Sequence, residues 1–575
     1  MNFKYISIKN FRSFKDIQIS ISNKSVFFGL NDVGKTNLLT ALRFVFDRNM
    51  RKKDFIDSDY FKKNVSDPIE IVVCINIDDQ NDDSAKIRPY IKGAIKSGQK
   101  EIYIKLVAKY DDSELIGSAE MWWGGNLEEL EEIKSSGNRF DIDNIFNVFY
   151  IDSYVDMDKL FKQNIKKLIK SDITNEDDKK THERIDSIVS DLNDQIASLS
   201  GVSDFESKIT PVYQRFNNKE MSISVKSEIA VKGLYSNIVP YMKRVNDDNI
   251  YPTAGEGRKK LVVYSLYSLL AEAEASKKIN IFLIEEPENN LHKSMQIELS
   301  EILFSSTDNY PFLFVSTHSP YILYEMDDIT LVRVYAHQDI ISSSVFYEVP
   351  LDYQRNKKML NRSLSEALFA NSVLLVEGPS EQLLFDKVLS YICPYYESKG
   401  MYILAVNGIA FKNYHVILKK LGINTVIKTD NDIQRRNNGF YALGFSRINK
   451  LTNNNLRLEW FTNGNKGEDK KDFYKHSIFY RRLIYNNSQE PVIKTTLEKI
   501  RKEDHIYISK VDLENDLDDV LHDRLTAILE QTDPVKYLQG AKNIRMVELI
   551  EKLQNVDCIR IYNHENFACL MELTK

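Results

Sequence analysis

The residues in this chain with the types and spacing for chemistry fall into two groups, both suited to phosphate. The first is Gly29-Leu30-Asn31-Asp32-Val33-Gly34-Lys35-Thr36, placed after the apolar run SVFF and before NLLTALRFVF. In a GxxxxGKT loop between a strand and a helix, the glycines let backbone N–H groups converge on phosphate oxygens. Lys35 then reaches the β and γ phosphates, and the Thr36 hydroxyl faces Mg²⁺. Gly29, Asn31, Gly34, Lys35, Thr36 and Asn37 are the candidate ATP contacts. Far downstream, the apolar run Ile281-Phe282-Leu283-Ile284 ends in Glu285 and Glu286. Two acids at such a strand end divide the work: Glu285 joins Thr36 in holding the metal, and Glu286 orients or deprotonates the attacking water. A further run, PFLFVST, delivers His318 to another strand end, within reach of a γ-phosphate.

The second group consists of carboxylates without nearby His or Cys. Val373-Leu374-Leu375-Val376 ends in Glu377, YILAVNG ends at Asn407-Gly408, and INTVIKT ends in Asp430-Asn431-Asp432. The period of two along a strand puts Asp430 and Asp432 on one face. Three acids then meet at the carboxyl edge of a parallel sheet, where open α/β folds place their chemistry. Hard oxygen ligands of this kind suit Mg²⁺ or Mn²⁺.

The elements that must position these groups require more than one core. A chain of 575 residues exceeds what a single hydrophobic core supports, so two to four domains are expected. With 43% hydrophobic and 28% charged residues, the composition is that of a packed globular protein. Four scattered cysteines without CxxC spacing exclude a disulfide framework and a zinc knuckle. No apolar run approaches bilayer length, which predicts no membrane segment and a cytoplasmic location. The formal charge of -6 gives no overall attraction to nucleic acid. Between Phe411 and Lys510, however, twenty Lys or Arg face ten Asp or Glu, a local +10 that leaves -16 for everything else. Residues 157–200 repeat Ile185, Val189, Leu192, Ile196 and Leu199 at helical intervals, the pattern of a dimerising insertion or of a helix packed on its own domain. The stretch LDYQRNKKMLNRSLSEALFA reads as a linker.

The separation between the phosphate loop, LIEEPE and STHSP resembles ABC-type ATPases of the SMC and RecF kind, and EEPENNLH resembles the version in the OLD (overcoming lysogenization defect) family. Thr253-Ala254-Gly255-Glu256-Gly257-Arg258-Lys259-Lys260 is similar to an ABC signature loop. It departs from that pattern in having Ala254 where a serine is usual, and Glu285 stands where the family has Asp. These departures favour nucleotide binding over fast hydrolysis. The order VEGPSE, NG, KTDND resembles the TOPRIM domain of topoisomerases, primases and OLD nucleases. This resemblance adds Glu381 to the acids, makes Asp512 and Glu514 of DLENDL a second metal site, and makes Lys542 a catalytic cation. Two metals can stabilise both the attacking water and the leaving 3′ oxygen. Topoisomerases attack with a tyrosine instead; none of the 31 tyrosines here is singled out by its context, which favours hydrolysis.

The expected architecture is therefore α/β: an N-terminal ABC-type ATPase over 1–350 with a helical insertion at about 157–245, then a TOPRIM domain over 365–575. Over its full length the chain resembles OLD-family nucleases and, among them, the nuclease subunits of Gabija anti-phage defence systems. That resemblance implies a metal-dependent DNA endonuclease or nickase under nucleotide control, a homo-oligomer built on ATPase dimers, double-stranded DNA as substrate, and a superfamily one helicase-like partner. The basic stretch then matches a DNA backbone path. Rival readings are an ATP-driven DNA-binding or repair protein of RecF or SMC type, and an RNA-cleaving toxin of the same architecture.

Overall fold

A computed structural model of the chain describes residues 1–30, 33–77, 82–89, 99–136, 139–154, 156–168, 200–216, 221–227, 238–244, 249–252, 255–274, 277–304, 310–336, 339–408, 410–436, 439–454, 460–461, 477–485 and 491–575. They form two compact units, Met1–Asn361 and Arg362–Lys575. No helix among the described residues is long and apolar enough to cross a membrane.

In the first unit the chain lays down β1 (Asn2–Phe11), β2 (Phe14–Ser20) and β3 (Lys24–Phe28), then helix α1 (Lys35–Phe46). Next come β4 (Ile69–Asn76), β5 (Glu101–Asp111), β6 (Ile116–Gly124) and the short β7 (Glu131–Glu132). Strands β2-β1-β4-β5-β6-β7 pair antiparallel into one sheet. A second sheet takes β8 (Phe146–Ile151), β9 (Ile279–Glu285), β10 (Phe312–Thr317), β11 (Ile329–Ala336) and β12 (Ile340–Tyr347) in the order β8-β9-β10-β3-β11-β12. All its pairs are parallel except the last. Its central strands are apolar on both faces, β9 being buried at every position, because both sides of a parallel sheet are covered. Helix α1 buries residues all round, including Leu38, Leu39, Leu42, Phe44 and Val45, as a helix enclosed on every side must. Phe3 makes edge contacts with Phe46, Phe312 and Phe314, joining strand β1 to α1 and β10. Each such ring contributes about 1.5–3 kcal/mol by burial.

The insertion is not wholly helical. Helices at Met157–Leu168 and Ser200–Phe216 are followed by an antiparallel sheet of Met221–Ser227, Ile238–Arg244 and Ile250–Pro252. The reason is local: in MSISVKS, Ile223 and Val225 are buried and alternate with serines, which is a strand period. The stripe from Ile185 to Leu199 lies outside the described residues. Helix α2 (Glu256–Glu274) returns the chain to β9. The presumed linker contains a helix, Lys357–Leu368, in which Leu360, Leu364, Ala367 and Leu368 are buried at helical spacing.

The second unit is built on four parallel strands: β13 (Ser372–Val376), β14 (Met401–Ala405), β15 (Asn424–Thr429) and β16 (Ile506–Ile508), ordered β14-β13-β15-β16. Between them run α3 (Pro379–Ile392), α4 (Phe411–Lys420), α5 (Leu443–Asn449) and α6 (Ser477–Tyr485). After them come α7 (Leu513–Leu529) and α8 (Lys542–Lys552). Because β13 connects outward to β14 while β15 connects the other way to β16, the topological switch falls between β13 and β15. Glu377 and Asp430 lie at the carboxyl ends of those two strands.

One ion pair fastens this sheet to α7. Lys428 on β15 and Asp516 on α7 are both buried, with Nζ 2.7 Å from Oδ2, and Nζ also donates to the Asn566 carbonyl at 2.9 Å. Removing one member leaves the other charge buried and alone, which typically costs about 3–5 kcal/mol, whereas replacing both by apolar groups often costs little. In urea denaturation followed by tryptophan-independent circular dichroism, Lys428→Met is therefore expected to destabilise the second unit by about 3–5 kcal/mol. The double variant Lys428→Met/Asp516→Leu is expected to recover most of that loss.

Candidate functional site

The phosphate loop depends on two backbone positions. Gly29 and Gly34 have φ values of 146° and 91°. A Cβ on Gly29 would lie 2.2 Å from the Val334 carbonyl oxygen, and one on Gly34 would lie 2.4 Å from Ser13 Oγ, so glycine is required at both. Gly34 caps α1, which places Lys35 and Thr36 at the positive end of the helix. Lys35 is buried, with Nζ donating to the Gly29 and Leu30 carbonyls at 3.1 and 2.6 Å, so its ammonium lies within the loop. Asn31 lies outside the described residues. Asn37 donates to Ser13 Oγ at 2.9 Å and accepts from Arg12 at 3.2 Å. A cleft of about 680 Å³ opens here, lined by Gly34, Lys35, Thr36, Asn37, Glu286, Asn289 and His318.

Glu285 is held at both oxygens. The Thr36 hydroxyl donates to Oε1, and the Tyr150 hydroxyl donates to Oε2 at 2.5 Å. Tyr150, at the end of β8, carries the Arg43 guanidinium 3.6 Å above its ring. Burial, reinforced by the bond to Glu285, pushes its phenol well above the ordinary range and keeps it a donor. Glu286 has a left-handed backbone, φ 42°, with its N–H on the Ser316 carbonyl at 2.9 Å. Its carboxylate contacts His318 Nε2 at 3.2 Å and accepts from Asn289 Nδ2 at 2.7 Å. His318 therefore meets Glu286 at the cleft rather than standing alone. Half-buried Glu288 accepts the His318 N–H at 2.6 Å and the Thr317 hydroxyl at 2.9 Å. In the signature-like segment, Thr253 and Ala254 lie outside the described residues, while Gly255, φ 93°, leads into α2.

The second unit brings the acids of its sequence motifs together. Glu377 Oε1 accepts the Asp430 N–H at 2.8 Å and the Thr429 hydroxyl at 2.7 Å. Arg447 on α5 bridges Glu377 and Asp432, reaching Asp432 Oδ2 at 2.6 Å. Arg481 on α6 bridges Asp432 at 3.7 Å and Asp512 at 3.2 Å. Asp512 caps α7 by accepting the Asn515 N–H at 3.0 Å, and its other oxygen accepts from Gln539 at 3.0 Å. Lys542, the first residue of α8, sets Nζ 3.8 Å from Glu514. Burial, with mutual repulsion added, shows in the protonation. Burial raises Asp430 well above the carboxylate range, with the charges of Glu377, Glu381, Asp512 and Asp432 adding to it. Burial likewise pushes Glu381 to about 7, and Glu377 adds to that shift.

Residues 1–251 and 156–323 match the family model for an AAA ATPase domain, and residues 368–432 match the overcoming lysogenization defect protein-like TOPRIM domain. Endonuclease GajA of Bacillus cereus (strain VD045) is 42% identical over 585 residues, covering 100% of this chain and 99% of that protein. The chain belongs to the GajA endonuclease family. More distant relatives are Endonuclease GajA of Bacillus cereus (strain HuB5-5), 20% identical over 78% of this chain and 76% of its own length, and the Old nuclease of Escherichia phage P2, 24% identical over 74% and 76%. This family member thus joins an ATPase head to a TOPRIM domain in one endonuclease chain.

The donor set of the TOPRIM unit fits hard divalent cations. It is all carboxylate oxygen, and buried Glu514 Oε2 has no hydrogen-bond partner. Among the described residues no three acids or imidazoles are closed to metal-holding geometry, because Arg447 and Arg481 lie between the carboxylates. The nucleotide cleft fits a triphosphate through the loop, Lys35 and the start of α1. Sequence reasoning missed Tyr150, Asn289, Arg447, Arg481 and Gln539. The basic excess contained a signal for the two arginines, but they turn inward to the acids, as does Lys428. These three charges are paired with acids of the chain itself, and residues 437–438, 455–459, 462–476 and 486–490 of the stretch lie outside the described residues.

Tyr150 gives a direct check on the metal side of the nucleotide cleft. A hydrogen bond to a charged group contributes about 1.5–3 kcal/mol. Tyr150→Phe is expected to weaken Mg²⁺·ATP binding about tenfold or more, while leaving ATP binding in EDTA unchanged, as read by titration calorimetry.

Proposed function

We propose that this chain is a Mg²⁺- or Mn²⁺-dependent endonuclease that nicks or cuts double-stranded DNA in anti-phage defence of the Gabija type, with ATP occupancy at the first unit governing cleavage at the second. The observation that carries the reading is the convergence of Glu377, Asp430, Asp432 and Asp512 at the switch point of a parallel sheet. Glu377, Glu381, Asp430, Asp432, Asp512 and Glu514 would hold the cations. When bound, divalent cations at such a site supply Lewis-acid activation of the attacking water and of the leaving 3′ oxygen. Lys542, with its side chain 53% exposed beside Glu514, presents a fixed positive charge to the charge that develops on the scissile phosphate. Arg447 and Arg481 hold the acids in register around the same point.

At the first unit, Lys35 and the amides of the loop bind the triphosphate, Thr36 and Glu285 hold its Mg²⁺, and Glu286, steadied by His318 and Asn289, orients water. A homo-oligomer built on ATPase dimers, a helicase-like partner and a cytoplasmic location complete the proposal. They are supported by the relationship to the GajA endonucleases.

Supercoiled plasmid is the decisive substrate. With Mg²⁺ or Mn²⁺ the wild type is expected to nick it and EDTA to stop the reaction. Glu377→Ala is expected to lose about 10²-fold or more of the rate while retaining DNA binding. Lys35→Ala is expected to cleave without responding to ATP. Undiminished cleavage by Glu377→Ala would overturn the assignment of the acids, and an identical ATP response in Lys35→Ala would overturn the nucleotide control. Parallel reactions on single-stranded RNA test the choice of substrate.

A further inference from the structure

The start of α2 is fastened to the turn that carries Glu286. Lys260 is only 2% exposed, and its Nζ donates to the Glu286 carbonyl at 2.7 Å and to the Ser153 carbonyl at 3.4 Å. Nearly one helical turn earlier, Gly257 packs so closely on the Asn290 carbonyl that a Cβ would lie 2.5 Å from its oxygen. The turn gripped at these two points has left-handed, non-glycine residues at both ends, Glu286 with φ 42° and Asn290 with φ 63°. That backbone needs an external hold, because it is a conformation L residues rarely adopt without one.

The choice of a lysine for that hold is informative. A buried cation is costly, and burial brings the Lys260 ammonium down to about 8 against the opposing charges of Glu288, Glu286, Asp152 and Glu285. An apolar residue of the same length would avoid that cost but leave the Glu286 carbonyl without its donor. Lys260 is not itself among the residues that line the cleft; its hydrogen bond to the lining is made to the Glu286 carbonyl, so its influence on a bound nucleotide passes through the Glu286 backbone.

We propose that Lys260 is a positioning residue for Glu286: it fixes the left-handed peptide that aims the Glu286 carboxylate into the nucleotide cleft, and with Gly257 it makes the loop opening α2 and the turn Glu286–Asn290 move as one body. A contact made on that loop is then felt at Glu286. This rests on the nucleotide-cleft half of the function proposed above and is independent of the acids in the second unit.

The test uses the full chain as wild type, Lys260→Met and Lys260→Arg, with ATP hydrolysis, binding of a fluorescent ATP analogue and melting temperature measured on each. Lys260→Met is expected to lower kcat about tenfold or more, with KM and the analogue's Kd within about twofold of wild type and no drop in melting temperature. Lys260→Arg, which keeps a cationic donor, is expected to recover part of the rate. Lys260→Gln, an uncharged donor, replaces the Met variant if that protein does not fold. Unchanged kcat in the Met or Gln variant overturns the proposal. So does a loss of kcat accompanied by equal loss of binding and a lowered melting temperature, the mark of a merely structural lysine. A wild type with no ATP turnover also overturns it. Failure of the nuclease assignment would appear separately, as absent plasmid nicking with either metal.

Discussion

Gathering four carboxylates at one edge of a sheet is the constraint around which the second unit is organised. Two unit charges 4 Å apart at an effective dielectric near 20 interact by about 4 kcal/mol, so like charges at such spacing resist folding unless something is placed between them. Arg447 stands between Glu377 and Asp432, and Arg481 stands between Asp432 and Asp512. The backbone N–H of Asp430 adds a donor to Glu377, and Asp430 itself is driven toward its neutral form. The supporting elements answer to the same demand. Lys428 is buried two residues before Asp430 and anchors β15 to α7, the helix that Asp512 caps. The site and its scaffold therefore share a single electrostatic frame.

In the first unit the same problem has a milder solution. Glu285, Glu286 and Glu288 follow one another within four residues at the end of β9, but each is turned to different partners. Hydroxyls of Thr36 and Tyr150 take Glu285, His318 and Asn289 take Glu286, and the backbone N–H of His318 with Thr317 takes Glu288. Hydroxyl, amide, imidazole and backbone donors suffice, with no arginine between the acids, because the backbone itself separates the three, most sharply at left-handed Glu286. Where the usual pattern of such sites has an aspartate, the longer Glu285 carboxylate is held by the Tyr150 hydroxyl from the neighbouring strand.

Much of the framework was legible along the chain. Largely apolar runs leading to Glu285, His318, Glu377 and Asp430 marked buried parallel strands and the side chains they deliver, since β-period and burial are local properties. The glycines of the phosphate loop were equally readable, because a positive φ demands glycine whatever lies around it. Two segments were misjudged for lack of context. The stretch before β13 reads as a polar linker until Leu360, Leu364 and Leu368 are seen to share a buried helical stripe, and the insertion reads as helix until Ile223 and Val225 are seen facing inward from a sheet.

By itself, the order of residues determined which chemistry the molecule carries: a loop that binds phosphate, carboxylates at strand ends, and the two α/β units that present them. Only the tertiary structure decided how those charges are made compatible. The partners that hold them, Tyr150 for Glu285, Lys260 for the Glu286 carbonyl, Arg447 and Arg481 for the acids, Asp516 for Lys428, come from distant parts of the chain with no spacing that announces them. A periodicity reports the neighbours a residue meets along its own strand or helix. An ion pair or hydrogen bond between elements depends on how the layers pack, and that is settled in three dimensions.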